Sequence, residues 1–313
     1  MLKFQKLSTR VFVGGNKHGG NPLTIFWGAS DTAITSSIET SLAQSCAWES
    51  VLIHSSSSPP KLKFFVPSGK ELSFCLHAAM GAAYALARQK PSTPKTKVRE
   101  ILFDTSSGNQ ESCSNTTYKA AVEDDGTTWL ELGHVPYHEE SVELVNADAL
   151  LNQLNLDIID VHSSTVPLNA GIFGRPKTMV RLDKLQDLQE TCSGTPNDAQ
   201  FFESNCITAN ESTGLFLYTP IADEQNNVYY ECRQFPKASG YPEDPATGIA
   251  AAALALHLFK KEEQDCYEFR QGTAMRRPSL ITIRNINMTG PISLECGGKV
   301  ELDNEEEITI LTD

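Results

Sequence analysis

Two segments of the sequence share a pattern that constrains the fold more than any other feature. Residues 71–79 and 243–251 align without a gap, and a glutamate and two consecutive alanines recur at the same places in both. Each segment is expected to follow a strand and to enter a helix that is apolar on nearly all faces, and such a helix is buried. The pattern predicts an internal duplication, with one buried helix in each half of the chain.

Runs of alternating or β-branched residues predict that strands outnumber helices along the whole chain. The expected helices cover residues 35–50, 77–88, 182–189 and 248–260. Residues 91–127 carry lysines, serines and acidic side chains among short strands, which is typical of a domain junction. The fold class predicted from these elements is α+β.

Composition excludes several functions. The 313 residues include 26 Lys and Arg and 39 Asp and Glu, which gives a net charge of −13. This negative charge argues against a nucleic-acid partner. No apolar run approaches the roughly 20 residues that a membrane span needs. The eight cysteines form no CxxC pair, which predicts reduced thiols in a cytoplasmic protein rather than a zinc or dithiol site. The histidines likewise imply no metal.

The two aligned segments also predict a binding site. Each puts polar groups at the start of a buried helix, where unpaired N–H groups and the positive end of the helix dipole bind carboxylates or phosphates. If the two halves face each other, the two helix starts converge on one cleft. A small anionic ligand could be held there without a metal.

Several short segments, in their order along the chain, resemble the signature segments of the PhzF-like isomerases of phenazine biosynthesis. They are residues 20–22 (GNP), 74–78 (FCLHA), 240–248 (GYPEDPATG), 271–272 (QG) and 277–279 (RPS). The resemblance implies the diaminopimelate epimerase fold: two pseudo-symmetric domains, each a bent, mainly antiparallel sheet around a central helix, with the active site in the cleft between them. It implies domains at 1–125 and 126–297, with strands of about 298–313 returning to the first.

The resemblance also implies roles for individual residues. Glu49 occupies the place of the family's catalytic acid and base, and His77 and Asp244 match two further catalytic positions. The expected substrate-binding residues are Asn21, Cys75, Leu76, Ala78, Thr247, Gly248 and Ile249. Two positions depart from the family pattern, because Leu76 replaces a glycine and Ile249 replaces a serine.

Each assignment has a plainer alternative. Glu49 could be a solvated carboxylate at a helix end, His77 could cap or pack, and Asp244 could only shape a turn. In the epimerases of this fold a cysteine at each of two matching places forms an acid–base pair, but Thr247 stands opposite Cys75, and a hydroxyl is too weak a base for that role.

The expected function is therefore a cofactor-independent isomerase of a small carboxylated metabolite, in which Glu49 removes a proton from carbon and returns it. The resemblance also implies a homodimer. The alternative is a catalytically silent relative that binds a ligand or a partner. A polar pocket around Glu49 would favour the enzyme.

Overall fold

The computed structural model describes nine stretches of the chain, residues 1–15, 18–28, 34–89, 97–105, 116–142, 167–190, 212–225, 227–237 and 242–310. Gly240 and Tyr241 of the predicted motif lie outside them. The helices in these stretches are α1 (Ser36–Gln44), α2 (Leu76–Gln89), α3 (Leu185–Glu190) and α4 (Gly248–Phe259). None of them is long and apolar enough to cross a membrane.

Sixteen strands are present in the described stretches. They are β1 (Leu2–Val11), β2 (Asn21–Trp27), β3 (Ser50–His54), β4 (Lys61–Phe65), β5 (Glu71–Leu72), β6 (Val98–Thr105), β7 (Thr116–Glu123), β8 (Thr127–Leu132), β9 (Tyr137–Ser141), β10 (Leu168–Ile172), β11 (Lys177–Arg181), β12 (Gly214–Ala222), β13 (Val228–Pro236), β14 (Cys266–Gln271), β15 (Ser279–Asn287) and β16 (Ser293–Ile310).

The chain divides into two compact units. The first comprises Met1–Val13, Asn21–Leu132 and Gly297–Asp313, and the second comprises Gly14–Gly20 and Gly133–Cys296. The domain boundaries implied by the family resemblance remain a prediction.

The first unit is a sheet that closes on itself around α2. Its strands follow the order β1-β2-β3-β4-β6-β7-β8-β16, and β16 also pairs with β1 in antiparallel register. The alanine-rich sequence of α2 favours a helix, and ten of its residues are buried. A side chain at Gly81 would come within 2.3 Å of Leu23, so the glycine lets α2 lie directly on β2.

In the second unit, the strands β9 to β15 lie side by side in the order in which they follow along the chain. Helix α4 packs against β10 and β15. The first ten residues of α4 are all buried, as expected for a helix of alanines and leucines that is apolar on every face. The sheet supplies the rest of this core through residues such as Phe216, Phe235 and Phe269, each with 0% exposure.

The same sequence of pairings occurs in both units. In the first, α1 joins the parallel strands β2 and β3, and α2 joins the parallel strands β4 and β6. In the second, α3 and α4 join the parallel pairs β11–β12 and β13–β14. The sequence alignment sets Leu76 opposite Gly248, and these are the first residues of α2 and α4. Duplication as the origin of this pattern remains a prediction.

Two local expectations are wrong. The helix predicted for residues 35–50 ends at Gln44, because the chain must leave the helix to let Ser50 pair with Thr24 in the sheet. The family resemblance also implies a turn at Gly297 and Gly298, before the last strands, but both glycines lie within β16. A side chain at Gly297 would come within 2.3 Å of the Trp129 ring, so the glycine lets this indole pack against the strand.

Candidate active site

In the first unit, Asn21 and Glu49 lie at the N-terminal ends of two neighbouring strands, β2 and β3. Asn21 is the first residue of β2 and has 0% exposure, and Glu49 directly precedes β3 and has 6% exposure. Strands β2 and β3 are parallel, and the Thr24 N–H donates to the Glu49 carbonyl oxygen at 3.2 Å. The plainer alternative for Glu49 does not hold, because this carboxylate is neither on a helix nor solvated.

The start of α2 contributes a second group of predicted residues. Cys75 immediately precedes the helix and His77 lies in its first turn, and the Cys75 Sγ is 3.4 Å from the His77 Nδ1. Both side chains are buried, as are Leu76 and Ala78. The apolar side chain at position 76 is therefore accommodated inside the unit.

In the second unit, Asp244 shapes the entry to α4. Its backbone N–H donates to the Gln234 carbonyl at 3.0 Å, which fixes the loop to β13. Its carboxylate accepts from the Thr247 hydroxyl at 2.6 Å and from the Ala246 N–H at 3.3 Å. Asp244 precedes Pro245, which disfavours helical backbone at that position. The aspartate therefore organises a turn that ends where α4 begins.

Gln271, the last residue of β14, holds this turn from the other side. Its side-chain oxygen accepts from the Thr247 N–H at 3.1 Å, and its amide donates to the Asp244 carbonyl at 2.6 Å. The amide also lies 3.2 Å from the Thr247 hydroxyl. Gln271 has 0% exposure, so these bonds are shielded from water. The sequence showed Gln271 only as part of a family segment and gave it no role.

Two backbone N–H groups at the start of α4 are not used in hydrogen bonds within the described residues. The N–H groups of Ala250 and Ala251 both donate to the Thr247 carbonyl. Within the described residues, the N–H groups of Gly248 and Ile249 have no acceptor. Such groups at a helix N-terminus favour anions, because the helix dipole places partial positive charge there.

A buried ion pair anchors the same loop. The Arg233 Nε and Nη2 donate to the two Glu243 carboxylate oxygens at 2.9 and 2.7 Å, and the Nη1 donates to the Leu188 carbonyl at 3.2 Å. Both side chains have 6% exposure. The pair fixes the residue directly before Asp244, and local sequence patterns do not indicate it.

Lys177 is a further charged group that the sequence did not single out. It begins β11, has 3% exposure, and its ammonium donates to the Thr213 hydroxyl at 2.8 Å and carbonyl at 3.2 Å. Burial and, secondarily, the charge of Arg175 lower the pKa of Lys177 to about 7, while Asp244 acts in the opposite direction. A single lysine in an apolar strand carries no local signal of burial.

The structure thus brings Cys75 into contact with His77 and Asp244 into contact with Thr247. It places Asn21 at the start of β2 and Glu49 directly before the parallel strand β3. Within the described stretches, no three His, Cys, Asp or Glu side chains are arranged to hold a metal ion. The catalytic and binding roles of the individual residues remain predictions.

Comparison with known proteins supplies the class of enzyme. A trans-2,3-dihydro-3-hydroxyanthranilate isomerase of Pseudomonas chlororaphis is 25% identical over 275 residues, which cover 85% of this chain and 84% of that protein. A PhzF-family phenazine biosynthesis protein of Bacillus anthracis shares the fold with a TM-score of 0.77 at 18% identity, covering 99% of this chain and 100% of that one.

The epimerase fold predicted from the sequence is confirmed by a more distant structure. A hydroxyproline epimerase of Agrobacterium vitis matches with a TM-score of 0.56 at 9% identity, covering 98% of this chain and 91% of that one. These comparisons support an isomerase-type enzyme. Residues 16–296 match the family described as phenazine biosynthesis-like protein, and the chain belongs to that family.

Proposed function

We propose that the protein is a cofactor-independent isomerase of a small, cyclic or unsaturated carboxylate. The observation that carries the proposal is the burial of Glu49, a carboxylate with 6% exposure that directly precedes β3. A general base for a carbon acid works best when it is shielded from water and held in place. The isomerase of Pseudomonas chlororaphis, whose named substrate is a ring that bears a carboxylate, supports this substrate class.

In the proposed reaction, Glu49 takes a proton from one carbon and the C–H bond breaks. The electron pair left behind spreads through the unsaturated system, and the same carboxyl group then gives the proton to another carbon on the same face. Glu49 ends in its original ionised form, so the reaction needs neither an oxidant nor a second base.

The remaining residues receive binding and positioning roles. The N–H groups of Gly248 and Ile249 bind the substrate carboxylate, and Asp244 and Thr247 hold the turn that presents them. His77 is a donor to the substrate or to the intermediate, held by its contact with Cys75. Asn21, Leu76 and Ala78 line the side next to Glu49.

The decisive experiment combines proton exchange with a conservative variant. Trans-2,3-dihydro-3-hydroxyanthranilate is the first substrate to test, followed by other small unsaturated carboxylates, with NMR in D2O to follow product and deuterium incorporation. Glu49→Gln retains the shape and hydrogen bonding but cannot accept a proton, so turnover should fall by at least about 100-fold. Substrate affinity, measured by thermal shift, should change little.

Glu71→Gln is the matched control. Glu71 is a half-buried carboxyl of the same unit whose pKa is raised by burial, and it has no role in the proposed reaction. Its variant should retain activity. A Glu49→Gln enzyme that turns over within a few-fold of the wild type contradicts the assignment.

The alternative is a relative that binds a carboxylate without converting it. Ile249 favours this alternative, because it stands where the resemblance implies a serine that helps to hold the substrate, and its side chain has 6% exposure. Ligand-induced stabilisation with no deuterium incorporation across the substrate panel would support the silent relative. Stabilisation together with exchange supports the enzyme.

We also infer a homodimer in the cytoplasm that acts on a small molecule, with no nucleic-acid or membrane partner. Light scattering coupled to gel filtration tests the dimer directly. A monomer at micromolar concentration would contradict it.

A further inference from the structure

A cavity of about 270 Å³ lies in the second unit at the far end of α4 from Asp244. The helix has 12 residues, so roughly 18 Å of helix separates the two ends. The walls are three tyrosines, Tyr218, Tyr230 and Tyr267, together with the cations Arg181 and Lys261. None of these residues belongs to the candidate active site.

Arg181 is one of the charged groups that line the cavity. It is the last residue of β11 and lies opposite Tyr218 of β12. Its Nε is buried and has no hydrogen-bond acceptor in the described part of the chain. Leaving a buried donor without an acceptor costs free energy, which a ligand would recover. Guanidinium groups bind carboxylates and phosphates through two parallel hydrogen bonds.

The rings of Tyr218 and Tyr230 form two flat walls of the cavity, and their hydroxyl groups can donate hydrogen bonds. The rings of Tyr218 and Tyr230 are 6.4 Å apart and tilted by 56°. Burial raises the pKa of each phenol to about 12, so both hydroxyls keep their protons at neutral pH. Tyr267 donates its hydroxyl hydrogen to the Glu262 carbonyl, which fixes the third ring. Flat aromatic walls favour a planar apolar ligand.

Size and charge restrict the ligand further. The volume lies just below the roughly 300–1,000 Å³ of sites for drug-sized molecules, which suits a single ring. Arg181 and Lys261 against Glu262 leave one net positive charge in the lining, although the whole chain carries −13. One positive charge matches a carboxylate better than a doubly charged phosphate.

We propose that this cavity is a second ligand site, which binds a small aromatic monocarboxylate through Arg181 and stacks its ring against Tyr230. None of the residues that line the cavity has a role in the proposed reaction, so benzoate binding can be measured without turnover.

Sodium benzoate is the probe, measured by isothermal titration calorimetry on the full chain, with benzylamine as the cationic counterpart. We expect saturable binding of one benzoate at this cavity and none of benzylamine. Arg181→Met should weaken benzoate binding by about 10-fold or more, since a hydrogen-bonded charge partner is lost. Arg270→Met is the matched control, because that exposed arginine lies over Tyr229 in the same unit and outside the cavity.

A second variant keeps the proposal falsifiable if Arg181→Met does not fold. Val228 is 40% exposed and lines the cavity, so Val228→Trp fills the space without disturbing the core and should abolish benzoate binding. Benzoate binding that survives Val228→Trp overturns the proposal. If Asp244→Ala then removes that binding, the benzoate binds at the start of α4 and not in this cavity. Absence of saturable binding at millimolar benzoate overturns it as well. A failure of the Glu49 experiment alone leaves these results unaffected.

Discussion

Glu243→Gln should strongly destabilise the protein, because it leaves the Arg233 guanidinium buried beside an uncharged amide. In the wild type, the two carboxylate oxygens of Glu243 accept from Arg233 at 2.9 and 2.7 Å. The glutamine keeps one acceptor and the shape of the side chain, so what it removes is mainly the compensating negative charge.

The magnitude follows from the burial of the pair. Both side chains have 6% exposure, and breaking a buried pair by removing one partner costs about 3–5 kcal/mol of unfolding free energy. For a unit of this size, about 1 kcal/mol shifts the Tm by roughly 2–4 °C, so the loss corresponds to a shift on the order of 10 °C. Glu301→Gln is the control, because its partner Arg10 and Glu301 itself have 15% and 32% exposure. Its cost should stay below about 1 kcal/mol.

Urea unfolding followed by tyrosine and tryptophan fluorescence measures both losses. The double variant Arg233→Met with Glu243→Leu should recover most of the lost stability, since apolar side chains of similar volume often replace a buried ion pair without penalty. If Glu243→Gln costs less than about 1 kcal/mol, or if the double variant is no more stable than the single one, the reasoning is refuted.

Two further predictions concern packing and pH. Gly297→Ala should destabilise by about 1–3 kcal/mol in urea unfolding, because its methyl would come within 2.3 Å of the Trp129 ring, whereas Gly133→Ala has no such neighbour and serves as control. The pKa of Lys177 is about 7 in the folded protein, against an ordinary value of 10.5. Between pH 7 and pH 10.5 the unfolded chain therefore binds more protons than the folded one, and the free energy of unfolding rises with pH. The free energy of unfolding that is lost by burying this ammonium is therefore largest below pH 7 and falls to zero as the pH rises towards 10.5. Lys177→Met should stabilise the protein at pH 6 more than at pH 10, by about 2 kcal/mol or more, and exposed Lys184→Met should show no such trend.

The sequence predicted those parts of the fold that depend on local patterns. Helices α2 and α4 are long, rich in alanine and apolar on all faces, and the alignment of their flanking segments matched their first residues. The end of α1 was predicted less well, because it depends on the pairing of Ser50 with Thr24 in a neighbouring strand. No periodicity within residues 35–50 reports that pairing.

The polar contacts around Asp244 were beyond sequence reasoning for a similar reason. Gln271 contacts Thr247 across 24 positions of sequence, and Lys177 contacts Thr213 across 36. Buried polar residues are fixed by partners that the tertiary structure brings to them. The family resemblance indicated Glu49 and Asp244, but only the contacts explain how the loop before α4 is held.

The two departures from the family pattern act on side chains and leave the backbone of the site intact. Leu76 and Ile249 have 2% and 6% exposure in the first turns of α2 and α4, so their apolar side chains are packed within their units. The N–H groups of Gly248 and Ile249 still have no acceptor in the described residues, and a carboxylate needs only such donors. What Ile249 removes is a hydroxyl near the start of α4. We therefore expect binding of the carboxylate to be retained, and we expect any substrate group that required that hydroxyl to be disfavoured, since a polar group without a partner loses affinity. The protein should accordingly accept carboxylates that are less polar near this helix than the family's usual substrate.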